Sequence, residues 1–205
     1  MFLLIGTTGA GIAGMALSDG NEAMTLLAVS LSAGAMLFVW ISVFVRHSGA
    51  HFNPAVTLGF LVSGEIELRD AIAYVISQIV GGVTGVCLAN IMFGLPLIQA
   101  GMTQRTGASI WISEATATFG LVLLIMCLVR QNRSIIAAAV ACYIVACHWC
   151  TGSGAFANPA VTIARGLTDS FTGVSLLSIP GFIAVQLIAG VLAVGASRIL
   201  MQDID

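Results

Sequence analysis

Two copies of one pentapeptide carry the residues that could act on another molecule. Asn53-Pro54-Ala55-Val56-Thr57 is followed, half a chain later, by Asn158-Pro159-Ala160-Val161-Thr162. Asn is a favoured N-cap, and Pro is tolerated at the first helical position because its missing N–H would be unpaired there anyway. Each copy is therefore predicted to open a short helix, over residues 54–61 and 159–167. In apolar surroundings such a start exposes unpaired N–H groups and a partial positive charge of roughly half a unit. Two of them in one membrane chain point to a pore in which half-helices aim their positive ends at one place. No nucleophile–base pair and no metal-ligand cluster accompanies them, so neither an enzyme nor a metal or cofactor is expected.

The surroundings are apolar. Of the 205 residues, 59% are hydrophobic and 8% charged, against about a quarter charged in a soluble domain. A mean hydropathy of +1.06 and 23 glycines agree, since Gly is commoner in membrane helices than in soluble ones. The chain reads as one polytopic membrane domain, 1–205, whose immediate partner is the bilayer. A net charge of −2 says nothing about nucleic acid, but the sequence has no basic stripe, and no nucleic-acid partner is expected.

Six apolar spans can be drawn, at 2–17, 25–45, 70–95, 110–129, 134–150 and 179–200. The first has 16 residues, about 24 Å as a helix against a hydrocarbon core of about 30 Å. It starts at Met1 with no basic lead or cleavage site, so it is not a signal peptide and is read as a truncated first helix. With lysine absent, arginine sets the topology. Arg46, Arg69, Arg130, Arg133 and Arg198 flank spans on one side and Arg105 lies on the other, which by the positive-inside rule puts both termini in the cytoplasm. Cys147-His148-Trp149-Cys150 matches C-x-x-C but lacks a second ligand pair and reads as structural.

The halves, about 1–95 and 109–205, repeat. Ala50–Gly59 (AHFNPAVTLG) matches Ala155–Ala164 (AFANPAVTIA), and Ser77–Val86 (SQIVGGVTGV) resembles Val185–Val194 (VQLIAGVLAV). Three spans per half place the copies in opposite orientations, an inverted repeat whose half-helices meet at the midplane.

Paired Asn-Pro-Ala signatures within such a repeat, the first inside Ser48-Gly49-Ala50-His51-Phe52-Asn53-Pro54-Ala55-Val56-Thr57, resemble those of the major intrinsic proteins, the aquaporin and glycerol-facilitator family. The resemblance covers nearly the whole chain. It implies an all-α membrane fold of six transmembrane helices plus two re-entrant half-helices, and passive flow of water or small uncharged solutes. It also implies a homotetramer with one pore per monomer. By the family pattern, Asn53 and Asn158 cap their own helices through the side-chain oxygen and turn their NH₂ groups to the passing molecule. The positive helix ends then disfavour cations and orient water against proton hopping.

The departures concern selectivity. Family members that admit only water narrow the outer mouth with an Arg directly after the second Asn-Pro-Ala, where this chain has Val161. Carried over by spacing, the other filter positions fall on Ala33, Ala146 and Ala155, so the filter is expected to be wide and apolar. Arg165, four residues further along the half-helix, is expected to lie about one turn away and not to substitute simply; with His148 and Glu114 it is a candidate pore or support residue. A lone His148 near a helix end is expected to be packed structurally. If the fifth span is shifted by a turn, its imidazole replaces Ala146 at the pore.

Glu114, in Ser113-Glu114-Ala115-Thr116, is a buried carboxylate. The matching Glu in the family braces the re-entrant loop, and that is the role expected here. Phe156–Arg165 followed by Asp169-Ser170-Phe171-Thr172-Gly173 resembles a bacterial branch associated with arsenic-resistance genes. That resemblance implies undissociated arsenite, a neutral trihydroxylated molecule close to glycerol in size, as solute. The expected location is the plasma membrane, multi-pass. Two other classes remain open. An ion-coupled secondary transporter also uses broken helices, although only Glu114 and Arg165 could serve coupling. A non-conducting membrane scaffold is the other.

Overall fold

The computed structural model describes residues 1–202, and among them it is all-helical. The elements are α1 (Phe2–Leu17), α2 (Glu22–Ser48), α3 (Pro54–Ser63), α4 (Leu68–Met92), α5 (Ala108–Gln131), α6 (Ile136–Cys150), α7 (Pro159–Arg165) and α8 (Ile179–Leu200). A 3₁₀ turn, Arg133–Ile135, leads into α6. Five segments, α2, α4, α5, the Arg133–Cys150 stretch and the Leu176–Leu200 stretch, are long and apolar enough to cross a bilayer, and α1 is a shorter apolar helix of 16 residues.

Helix boundaries follow local chemistry. Asn21 caps α2 by accepting from the Met24 N–H at 3.1 Å. At the other end Gly49, with φ of 70°, stops it in the left-handed region that glycine enters without strain. The half-helices end where the sequence allows: α3 runs to Ser63 before the left-handed Gly64, and α7 stops at Arg165, two residues short of the expected Leu167.

Packing repeats across the two halves. α1 lies on α2 and α4, as α5 lies on α6 and α8. The half-helices are exchanged: α3 packs on α8, and α7 on α4. Each half contributes three helices besides its half-helix, so the copies run in opposite directions, as expected of an inverted repeat. The exchange depends on two glycines at matching positions. A Cβ on Gly82 of α4 would stand 3.2 Å from the Ala160 carbonyl oxygen, and one on Gly190 of α8 would stand 3.3 Å from that of Ala55. Glycine lets each long helix approach the backbone of the opposite half-helix.

Candidate functional site

Asn53 and Asn158 are both buried, and each performs two tasks. As N-caps, Asn53 Oδ1 accepts from the Ala55 N–H at 2.9 Å, and Asn158 Oδ1 accepts from the Ala160 and Val161 N–H groups at 3.0 and 3.3 Å. Their amide nitrogens reach across the repeat. Asn53 Nδ2 donates to the Ala157 carbonyl at 2.7 Å, and Asn158 Nδ2 donates to the Phe52 carbonyl at 2.9 Å. This reciprocal pair joins the tips of α3 and α7. Each NH₂ keeps a second hydrogen for another acceptor.

The carbonyls that receive these bonds are aimed by strained backbone. Ala50 and Phe52 in one re-entrant loop have φ of 51° and 48°, and Ala155 and Ala157 in the other have 46° and 46°. Such left-handed conformations cost non-glycine residues on the order of 1–3 kcal/mol each. They persist because the loops are held from outside. In the second half Glu114 Oε1 accepts from the Phe156 N–H at 2.9 Å, and Oε2 from the Ala157 N–H at 2.9 Å. Gln186 Nε2 donates to Glu114 Oε2 at 2.8 Å and to Thr162 Oγ1 at 3.0 Å. Glu114 is thus fully engaged behind the loop and does not line the cavity. The first half carries part of the same network: Gln78 Nε2 donates to Thr57 Oγ1 at 2.9 Å. Gln78, Gln186, Thr57 and Thr162 were not singled out as site residues, although the repeat aligns each pair.

Arg105 is a further residue that sequence reasoning missed as a functional one. It leaves the connection between α4 and α5 and donates to three carbonyls, those of Ser153, Phe171 and Gly173, at 3.3, 3.3 and 3.5 Å. It thereby ties the second re-entrant loop to the segment after α7. Burial lowers its guanidinium pKa from the usual value, and the Glu114 carboxylate opposes that shift.

Beside the joined tips runs a cavity of about 970 Å³. Its lining extends from Arg46, Glu65 and Arg133 at one end, past Asn53 and Asn158, to His148, Phe156 and Arg165 at the other. Ala33, Ala155 and Val161 line it as expected, but Ala146 does not. Ala146 is exposed on the far side of α6. The lining face of that helix is Ala137, Val140, Ile144 and His148, a three- and four-residue spacing that keeps one stripe in register. Ala146, two positions from both Ile144 and His148, falls about 200° round the helix from each. Counting back from the second Asn-Pro-Ala carries an assumed loop length, and here it lands on the wrong face.

His148 therefore faces the cavity from α6. Its Nδ1 lies 2.8 Å from the Ile144 carbonyl oxygen, which can only accept, so Nδ1 carries a proton and, in the neutral ring, Nε2 is the acceptor. Arg165 stands at the same end. It is buried, lines the same cavity, and its guanidinium carbon lies 4.3 Å from the Phe156 ring centroid. That end of the cavity therefore carries polar side chains as well as loop carbonyls. The free cysteines include Cys147 and Cys150. Among the described residues no group of three or more His, Cys, Asp or Glu side chains could hold a metal.

Comparison with known proteins agrees with this geometry. Residues 1–152 match the family model described as Major intrinsic protein. The chain is 42% identical over 200 residues to aquaglyceroporin AqpS of Rhizobium meliloti (strain 1021), covering 98% of this chain and 85% of that one. It is 32% identical over 186 residues to probable aquaporin TIP1-2 of Oryza sativa subsp. japonica, covering 83% and 73%. Its fold matches the X-ray structure of the aquaglyceroporin from Plasmodium falciparum, with a TM-score of 0.74, 18% identity, and coverage of 98% of this chain and 90% of that chain.

Proposed function

This chain belongs to the major intrinsic protein family, and on that premise we propose that its passive channel for water and small uncharged solutes is a wide one, open to glycerol-like molecules and to undissociated arsenite. The observation that carries the reading is the reciprocal bonding of Asn53 to the Ala157 carbonyl and of Asn158 to the Phe52 carbonyl beside a single elongated cavity. Two helix N-termini then place their partial positive charge at mid-channel. A cation there meets repulsion, while a neutral hydroxyl can exchange hydrogen bonds with the asparagine NH₂ groups and with loop carbonyls.

Width is supported by what lines the mouth. Val161 stands directly after the second Asn-Pro-Ala, and Ala33 and Ala155 line the cavity with it, so no bulky ring fills these three positions. The name of the Rhizobium relative, an aquaglyceroporin, favours solutes larger than water. Arsenite rests on the similarity of size and polarity between undissociated arsenite and glycerol. Assembly as a homotetramer, residence in the plasma membrane and cytoplasmic termini complete the proposal. Arginine distribution supports the orientation.

Reconstitution into proteoliposomes tests it. Reswelling in glycerol or arsenous acid gradients is expected to exceed that of protein-free vesicles, without need of an ion gradient. Transport that stops when ion gradients are collapsed would indicate a coupled transporter. Vesicles that behave as protein-free ones would indicate a scaffold.

A further inference from the structure

The end of the cavity bordered by α6 and α7 holds two side chains that each bury a polar atom without a partner. Arg165 is 3% exposed, its Nε is buried without a hydrogen bond, and the guanidinium makes no hydrogen bond to any described residue. His148 is 5% exposed, and its Nε2 is likewise buried and unpaired, while Nδ1 is committed to the Ile144 carbonyl. Both side chains line the same cavity. A buried cation that is hydrogen-bonded to no carboxylate or carbonyl is costly unless something else solvates it. The Arg165 guanidinium carbon lies over the face of Phe156, 4.3 Å from the ring centroid. Phe156 is itself held by Phe182 at 5.2 Å between ring centroids.

We infer that Arg165 and His148 together form the selectivity constriction of this channel, with Arg165 supplying, from one turn along α7, the donor group that Val161 lacks. The inference rests on the channel reading above. Residues i and i+4 share a helix face, and helical side chains lean toward the N-terminus. A long side chain at 165 therefore reaches back over the patch that Val161 begins. Stacking on Phe156 sets the plane of the guanidinium and leaves its N–H edge for the cavity.

The two free groups are complementary. Arg165 offers N–H donors and no acceptor, and His148 Nε2 is an acceptor. A hydroxyl group can satisfy both at once, its oxygen accepting from Arg165 and its hydrogen going to His148. Val161, Ala33 and Ala155 line the same cavity and accept the carbon edge of a solute. The station fits a small neutral polyhydroxylated molecule with one polar and one apolar side. Longer polyols, which cannot turn between the guanidinium and the α2 wall, are held back.

Polyol permeability of proteoliposomes tests this, read as the ratio of a five-carbon polyol to glycerol. For Arg165→Val the ratio is expected to rise about tenfold, the scale on which single contacts discriminate between substrates. Val161→Arg/Arg165→Val, which returns the guanidinium to the position beside the second Asn-Pro-Ala, is expected to bring it back to within about twofold of the unaltered protein. A merely structural arginine at 165 would not be replaced by one at 161. Should Arg165→Val fail to fold, His148→Ala, with Arg165 intact, is expected to raise the same ratio several-fold. Unchanged ratios in the folded variants would overturn the inference while leaving the channel reading in place. An unaltered protein that passes neither water nor glycerol would remove both.

Discussion

Asn53 donates its side-chain N–H to the carbonyl of Ala157, 2.7 Å away on the opposite half of the chain. With its mirror image, Asn158 to Phe52, this bond turns two helix caps into one junction. The same side chain thereby sets three things: where its helix starts, where the other loop's carbonyl points, and which hydrogen remains for a solute.

Replacing either asparagine by aspartate keeps the helix cap and removes the cross-bond. Asn53→Asp and Asn158→Asp set a carboxylate against a carbonyl at the junction and supply negative charge at mid-channel. Proton or cation leakage through proteoliposomes is expected to rise about tenfold or more, as for a barrier lowered by about 1.4 kcal/mol. Dissipation of an imposed pH gradient measures it. Leakage equal to that of the unaltered protein would mean that these residues do not govern charge exclusion.

Glu114 is expected to act through stability more than through contact with solute. It accepts two loop N–H groups and one from Gln186. Glu114→Ala leaves these donors buried and unpaired, a loss of about 2–4 kcal/mol. Glu114→Gln, which presents an NH₂ to one of them, should fall between. Thermal unfolding in detergent, followed by loss of the monodisperse peak, gives the ranking.

Gly82 and Gly190 should tolerate no branched side chain. A Cβ at either position already stands 3.2–3.3 Å from a half-helix carbonyl oxygen, so Gly82→Val and Gly190→Val must push α7 or α3 away. The expected cost is about 1–3 kcal/mol, with glycerol flux per folded protein falling several-fold. Equal effects at both sites would reflect the exchange of half-helices between the two halves.

Much of this arrangement could be read from residue order. Asn-Pro marked both half-helices because cap chemistry is local. The three-span halves mark the inverted repeat, and the outer helices 2–17 and 179–200 fall on the expected bounds, with Ser18 after the first and Ser178 before the last interrupting the apolar runs. What could not be read depended on rotation about a helix axis and on side-chain reach. Ala146 was placed by counting through a loop whose length fixes the face, and the count missed His148 by two residues. Arg165 was judged by the position of its Cα, whereas a long side chain folded back on Phe156 reports on a place one turn away. Arg105 bridges segments far apart in sequence, and no local pattern announces such a bond set.

Val161→Arg alone introduces a second guanidinium into the space that Arg165 already borders. Glycerol and arsenous acid flux are expected to drop about tenfold, with water flux reduced far less. Stopped-flow light scattering compares the three solutes on one preparation. Undiminished glycerol flux would show that Val161 does not border the conducting path.

The account depends most directly on whether a neutral solute crosses the junction of the two half-helices without charge. Simultaneous recording of glycerol-driven reswelling and membrane current across proteoliposomes holding the unaltered protein measures this. The expected result is reswelling well above that of protein-free vesicles at background current. Reswelling no faster than in empty vesicles, or a current that scales with solute entry, would contradict it.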